Sequence, residues 1–201
     1  MPSAVEAPLN RSDPLRKLWT RAECEKLAES GGLDYHHLEL IEGALINKTG
    51  KNQPHINSLV ILMAWLQGVF GSRRVRPEAP IDVAPEDNPT NEPEPDISVL
   101  TRDLSHFPKE RPRPEHLQLV VEVSDTTLAF DLGTKAAPYA RAGIVEYWVL
   151  DILLGHQMTV HRDPRGGRYK SVEAYKSAEC VAPLAAPEAE LRVGDVFADA
   201  G

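Results

Sequence analysis

Asp96, Glu122 and Lys135 are residue types that can hydrolyse a phosphodiester when a fold gathers them. Asp96 follows Pro95 at the head of a short apolar run, and Glu122 interrupts a second run from Leu117 to Val123. A carboxylate inside a buried β run is costly unless something pairs with it. Two carboxylates on neighbouring strands can hold a hard divalent cation such as Mg²⁺, with waters completing the shell. Such a cation lowers the pKa of a bound water and stabilises charge on a phosphodiester in flight. Lys135 follows on a helical segment, where its ammonium can orient that water or neutralise the transition state. The residues also leave a plainer alternative open, with Glu122 a core acid paired to Lys135 simply to close the sheet edge.

The elements that must position these groups follow from the pattern around them. Leu117 to Asp151 reads as strand, loop, helix, strand, which predicts a βαβ-like unit in a sheet covered on both faces. Asp131 and Lys135 are four apart, so an α-helix places them on one face. Asp131 also suits a helix N-terminus, where the dipole favours an acid. Pro138 lies inside that helix and predicts a lost backbone bond and a bend close to Lys135.

Upstream, His37 to Asn47 reads as two short strands around a turn at Glu42-Gly43. Glu39 and Glu42 cannot share a face of an ideal strand, so one can point at a site while the other meets water. Pro54 to Phe70 is a predicted helix capped by Asn52, with Ile56, Leu59, Val60, Met63, Leu66 and Phe70 at helical spacing. His55 opens that helix, where a capping or surface role is the default. Thr20 and Glu23 form a capping box for a short helix ending near Gly31-Gly32. Arg73, Arg74 and Arg76 make a tight basic cluster that suits phosphate or a solvated strand end. Pro85 to Pro95 and Arg102 to His116 read as polar, proline-rich loops. A hairpin over Met158–Arg162 and Tyr169–Val172 and a last short strand near Leu191 follow.

Composition bounds the function classes. The chain has 201 residues, 42% of them apolar, which is enough for one domain with a real core. Residues 1–19 lack a pattern and read as a flexible arm before a single domain over 20–201. A net charge of −8 argues against capture of nucleic acid by the whole surface. Cys24 and Cys180 lack metal-ligand or redox spacing, as expected of thiols in a reducing cytosol. The N-terminus carries no apolar signal segment, and no apolar run approaches the ~20 residues that cross a bilayer. A cytoplasmic protein without a membrane partner is therefore expected. A Gly-x-Ser-x-Gly elbow and a P-loop are both absent, which argues against an α/β-hydrolase and against ATP-driven restriction.

Several motifs together resemble the bacterial Uma-two family of restriction-endonuclease-like proteins, within the PD-(D/E)XK nuclease superfamily. They are Glu39-Leu-Ile-Glu-Gly43, Pro95-Asp96, Leu119-Val-Val-Glu-Val-Ser124, Asp131-Leu-Gly-Thr-Lys135, Tyr139-Ala-Arg-Ala-Gly143 and Glu146-Tyr-Trp148 followed by Asp151. The resemblance runs from about Leu33 to Arg162. It implies an α/β fold with a restriction-endonuclease-like core, a central mixed β-sheet flanked by helices, and a Mg²⁺ (or Mn²⁺) site at one edge. It implies Asp96 and Glu122 as metal ligands, Lys135 as the lysine, and Glu39 as an additional catalytic acid ahead of Glu42. The superfamily places its lysine two residues after the Glu, where this chain has Ser124, so the function moves to Lys135. His55 falls where the family often has a histidine opening its long helix, and Asp131 would orient Lys135. The implied activity is a metal-dependent DNA endonuclease acting as a homodimer, with a catalytically inactive nucleic-acid-binding or assembly module on the same fold as the alternative. Ala44 stands where relatives often carry an acid.

Overall fold

Two of the apolar runs have no polar face to give to water, and they become the centre of the sheet. A computed structural model describes residues 17–48 and 52–197. Its elements in chain order are α1 (Arg21–Glu29), β1 (Leu38–Ile41), β2 (Ala44–Asn47), α2 (Gln53–Phe70), β3 (Val75–Pro77), β4 (Ile97–Leu100) and β5 (Leu117–Ser124). A continuous helical stretch follows as α3 (Leu128–Phe130), a π turn (Asp131–Lys135) and α4 (Ala136–Arg141). Then come β6 (Glu146–Asp151), β7 (Gln157–Arg165), β8 (Arg168–Lys176), β9 (Cys180–Val181) and β10 (Leu191–Arg192). Residues 1–16 of the expected arm lie outside the described residues. Its last residues run along the hairpin, where Trp19 N donates to Gly43 O at 2.8 Å.

The main sheet is mixed, in the order β3-β4-β5-β6-β7-β8. Only β5 and β6 are parallel, as the crossover through α3 and α4 requires. Alternation along β5 and β6 splits the core in two. Leu119, Val121, Val123, Trp148 and Leu150 face Leu59, Leu62 and Leu66 of α2. Val120, Tyr147 and Val149 face Ala136, Tyr139 and Ala140 of α4. Both faces are thus covered, and both strands are buried along their whole length apart from Gln118.

Helix α2 forms as expected, with Asn52 Oδ1 accepting from His55 N at 3.0 Å. Its buried seam differs from the expected stripe. His55, Ser58, Leu59, Leu62 and Leu66 are buried, whereas Ile56 and Val60 are 39% and 52% exposed. A helix apolar nearly all round carries no phase of its own, and the sheet beneath it sets which side packs. The default surface role for His55 fails for that reason.

Each arginine of the basic cluster has an intramolecular partner. Arg73 pairs with Asp103 through two contacts of 2.5 and 3.0 Å, Arg74 Nε donates to Leu100 O, and Arg76 donates to Pro80 O.

Next to Tyr147 lies a fully enclosed imidazole. His161 is 3% exposed, its ring lies tilted against Tyr147 at 5.1 Å and edge-on to Tyr169 at 5.5 Å, and its Nδ1 finds no partner. Burial pushes its pKa below the ordinary histidine value. The unfolded chain therefore binds a proton that the fold resists, and stability is lost as pH falls below about 6.5. Denaturant midpoints taken from pH 8 to 5 are expected to drop for the native chain and to drop less for His161→Phe. Equal slopes for the two proteins would exclude this account.

Candidate active site

Four separate elements deliver the acidic cluster. Glu122 and Ser124 sit on the α4 side of β5 because alternate residues share a face. Asp96 immediately precedes β4, and its Oδ2 accepts from Val123 N of the neighbouring strand at 2.8 Å. The same oxygen lies 3.5 Å from His55 Nε2 at the start of α2. Glu39 comes from the β1–β2 hairpin, which forms its own two-stranded sheet.

The hairpin is held to the loop ahead of β4. Glu42 and Gly43 both have positive φ, 51° and 76°, as a two-residue type I′ turn needs. A Cβ on Gly43 would lie 2.8 Å from Leu18 Cβ, so glycine is required there twice over. Glu42 N donates to Asn91 Oδ1, Gly43 N to Thr90 O, and Glu92 N to Leu40 O. Glu94 N donates to Glu39 Oε1 at 2.6 Å, which fixes the carboxylate itself. The proline-rich loop is therefore the clamp that aims Glu39.

Lys135 stands at the centre. Its Nζ lies 2.9 Å from Glu39 Oε1 and 2.9 Å from Glu122 Oε1, with the side chain only 6% exposed. Tyr139, one α-helical turn on, donates its hydroxyl to Glu122 Oε1 at 3.1 Å. Asp131 takes a different course. Its Oδ2 accepts from the hydroxyls of Ser124 and Thr127, the latter at 2.6 Å. The expected orienting contact from Asp131 to Lys135 is absent from the described hydrogen bonds and ion pairs. The two hydroxyls engage that carboxylate instead, while its charge still acts on Lys135. The stretch Asp131–Lys135 is a π turn, and Pro138 just beyond it has no N–H to give to the carbonyl four residues back. Lys135 closes that turn, and its ammonium keeps both carboxylates.

A cavity of about 270 Å³ opens over these groups. Asp96, Glu122, Lys135, Glu39, His55 and Asp131 all line it, together with Lys48, Glu78 and Glu94. Glu42 does not; it is tied to Arg141, which also holds Asp87. The choice of Glu39 over Glu42 thus has a geometric basis, because Glu39 sits on β1 while Glu42 stands in the turn, where Arg141 holds it.

Six carboxylates and two ammonium groups line this cavity. Burial pushes the Glu122 carboxyl well above the usual carboxylate range against the pull of Lys135, and the acids around it add to the rise. Glu39 shifts the same way for the same first cause. Burial alone would discharge Lys135, but Glu122 and Glu39 hold its ammonium well above the ordinary value. Lys135 therefore stays charged, and the excess negative charge falls on the acids. Asp96 goes the other way. Burial opposes its charge, yet the hydrogen bonds from His55 and Val123 keep it below the ordinary range.

The donor set is all hard oxygen, the chemistry Mg²⁺ selects. Among the described residues no three His, Cys, Asp or Glu groups converge at metal-binding spacing. Mg²⁺ is commonly held by only one or two carboxylates with waters, so Asp96 and Glu122 fit that pattern.

Sequence reading missed Glu94, Lys48, Thr127 and Tyr139. Two of these had a signal: Glu94 is two residues before Asp96, and Tyr139 is one helical turn after Lys135.

The fold is a mixed sheet covered by helices on both faces, with the acids gathered over its inner strands. A solved structure described as a putative nuclease belonging to DUF820 from Anabaena variabilis matches it with a TM-score of 0.60 at 19% identity, over 80% of this chain and 89% of that one. The Uma2 family model, described as "Putative restriction endonuclease", matches residues 25–194, and the chain belongs to that family. No curated protein matches it. Among the described residues no helix is long and apolar enough to cross a membrane.

Proposed function

We propose that the chain is a Mg²⁺- or Mn²⁺-dependent endonuclease that hydrolyses phosphodiester bonds of DNA. The observation that carries this reading is the cavity in which Asp96, Glu122 and Lys135 meet under a surplus of negative charge. Asp96 and Glu122 are the residues that would hold the cation. When bound, it supplies charge neutralisation and a water of lowered pKa.

The chain's own residues do the rest. His55 and Val123 N fix Asp96 through Oδ2 and keep it ionised. Glu39 and Glu122 hold Lys135 by two of its three donors, leaving one N–H for a phosphate oxygen or the attacking water. The Glu94 amide keeps Glu39 from drifting off that ammonium. A low-exposure setting strengthens each of these interactions relative to water. Cutting both strands needs two such centres, so the reading pairs the chain as a homodimer.

Supercoiled plasmid is the test substrate. Purified protein is expected to nick or linearise it with Mg²⁺ or Mn²⁺ and to stop when EDTA removes the metal. Asp96→Asn keeps an acceptor for Val123 N while removing the charge, and is expected to slow cleavage by roughly 10³-fold. Plasmid left intact by the native chain with both metals overturns the reading. So does cleavage by Asp96→Asn at the native rate.

A further inference from the structure

Tyr139 is a fully enclosed side chain that reaches the cluster without lining the cavity. It is 0% exposed and packs edge-on to Tyr147 at 5.0 Å. Its hydroxyl donates to Glu122 Oε1, the same atom that faces the Lys135 ammonium at 2.9 Å. Lys135, the last residue of the π turn, and Tyr139 on α4 are four apart, and both reach Glu122 from one side of the helical stretch. The phenol cannot swing away, because Tyr147 backs it and the Tyr147 hydroxyl is itself tied to Asp131 O at 3.1 Å.

Two donors on one oxygen do more than a single pair would. A carboxylate held at a single point by one donor can rotate about its own bond, whereas two donors from different directions settle which oxygen they take. With Oε1 engaged by both, Oε2 is the oxygen that remains to meet a ligand from the cavity. We infer that Tyr139 is a positioning residue that fixes Glu122 by Oε1 so that Oε2 is presented to a divalent cation. The inference rests on the endonuclease reading above and adds a residue to it. Burial holds the Tyr139 phenol well above its ordinary pKa, so it remains a donor at any working pH.

Hydrogen-bonded partners of metal ligands commonly set affinity by 10–100-fold. Mn²⁺ binding, read by titration calorimetry without substrate, separates this role from a packing role. Tyr139→Phe keeps the ring and its contact with Tyr147 and is expected to weaken Mn²⁺ binding about tenfold. The control is Tyr169→Phe, which removes a buried hydroxyl of the same aromatic group that donates to Ile144 O, away from Glu122. It is expected to lose stability and to bind Mn²⁺ as the native chain does. Native-like Mn²⁺ affinity in Tyr139→Phe overturns the inference while leaving the endonuclease reading intact. An equal loss in Tyr169→Phe also overturns it, because the effect would then be one of packing. A native chain that binds no Mn²⁺ and cuts no plasmid overturns the endonuclease reading first, and this inference with it.

Discussion

Lys135→Met is expected to unfold at a much lower temperature than the native chain. The substitution keeps the length of the side chain and removes the charge that two buried carboxylates share, each under 8% exposed. Taking one partner from a buried ionic cluster costs about 3–5 kcal/mol. For a chain of this size that is a fall of roughly 6–20 °C in Tm. Thermal unfolding by circular dichroism reads it without substrate or metal. Adding Glu122→Gln to Lys135→Met is expected to return part of the loss, because one of the stranded charges is then gone. An unmoved midpoint in Lys135→Met would show that the ammonium is not what holds these acids, and the central contact of the site would be lost with it.

Glu122→Gln alone is expected to move activity and stability in opposite directions. Cleavage falls by roughly 10³-fold, since a neutral amide cannot serve as a charged ligand. Stability at neutral pH rises by about 1–2 kcal/mol, because a surplus acid no longer has to be buried. The sign follows from the direction of the carboxyl shift. Folded protein keeps the Glu122 proton to a higher pH than the unfolded chain does, so native stability declines as pH climbs above about 4.3. The gap between the two proteins should therefore open above that pH and be absent well below it. Denaturant titrations at several pH values check this. Loss of stability in Glu122→Gln at neutral pH would mean that the pairing with Lys135 outweighs the desolvation of the acid.

The elements of the core were legible because their patterns admit one solution. Leu117 to Val123 and Ile144 to Leu150 are too short and too apolar for a surface helix, and the helical spacing between them forces a parallel crossover. The Glu42-Gly43 turn was legible through the need for positive φ at both positions. Less could be read of the long loops. The segment ahead of β4 carries no periodicity, yet it supplies Asn91 to the hairpin turn and the Glu94 amide to Glu39. Contacts of this kind join residues about 50 apart through single hydrogen bonds, and a pattern of residue types along the chain does not encode them.

The same limit runs through the helix after β5. Spacing of four led to Asp131 beside Lys135, and both line the cavity, but spacing did not show that Ser124 and Thr127 would take the Asp131 carboxylate. Spacing of four from Lys135 to Tyr139 holds, and both reach Glu122. In α2, apolar residues on nearly every side left the buried face unassigned until the sheet chose it and turned His55 inward toward Asp96.

By itself, the order of residue types determined that two acids and a lysine would lie on successive elements of one βαβ unit, because hydrophobic period and turn chemistry act locally. Which oxygen each donor takes, which of Glu39 and Glu42 reaches the cavity, and where Asp131 spends its carboxylate were decided only by tertiary structure. Those outcomes depend on the phase of helices and the seating of a hairpin against a distant loop, and both are settled by packing between elements rather than by propensity within them.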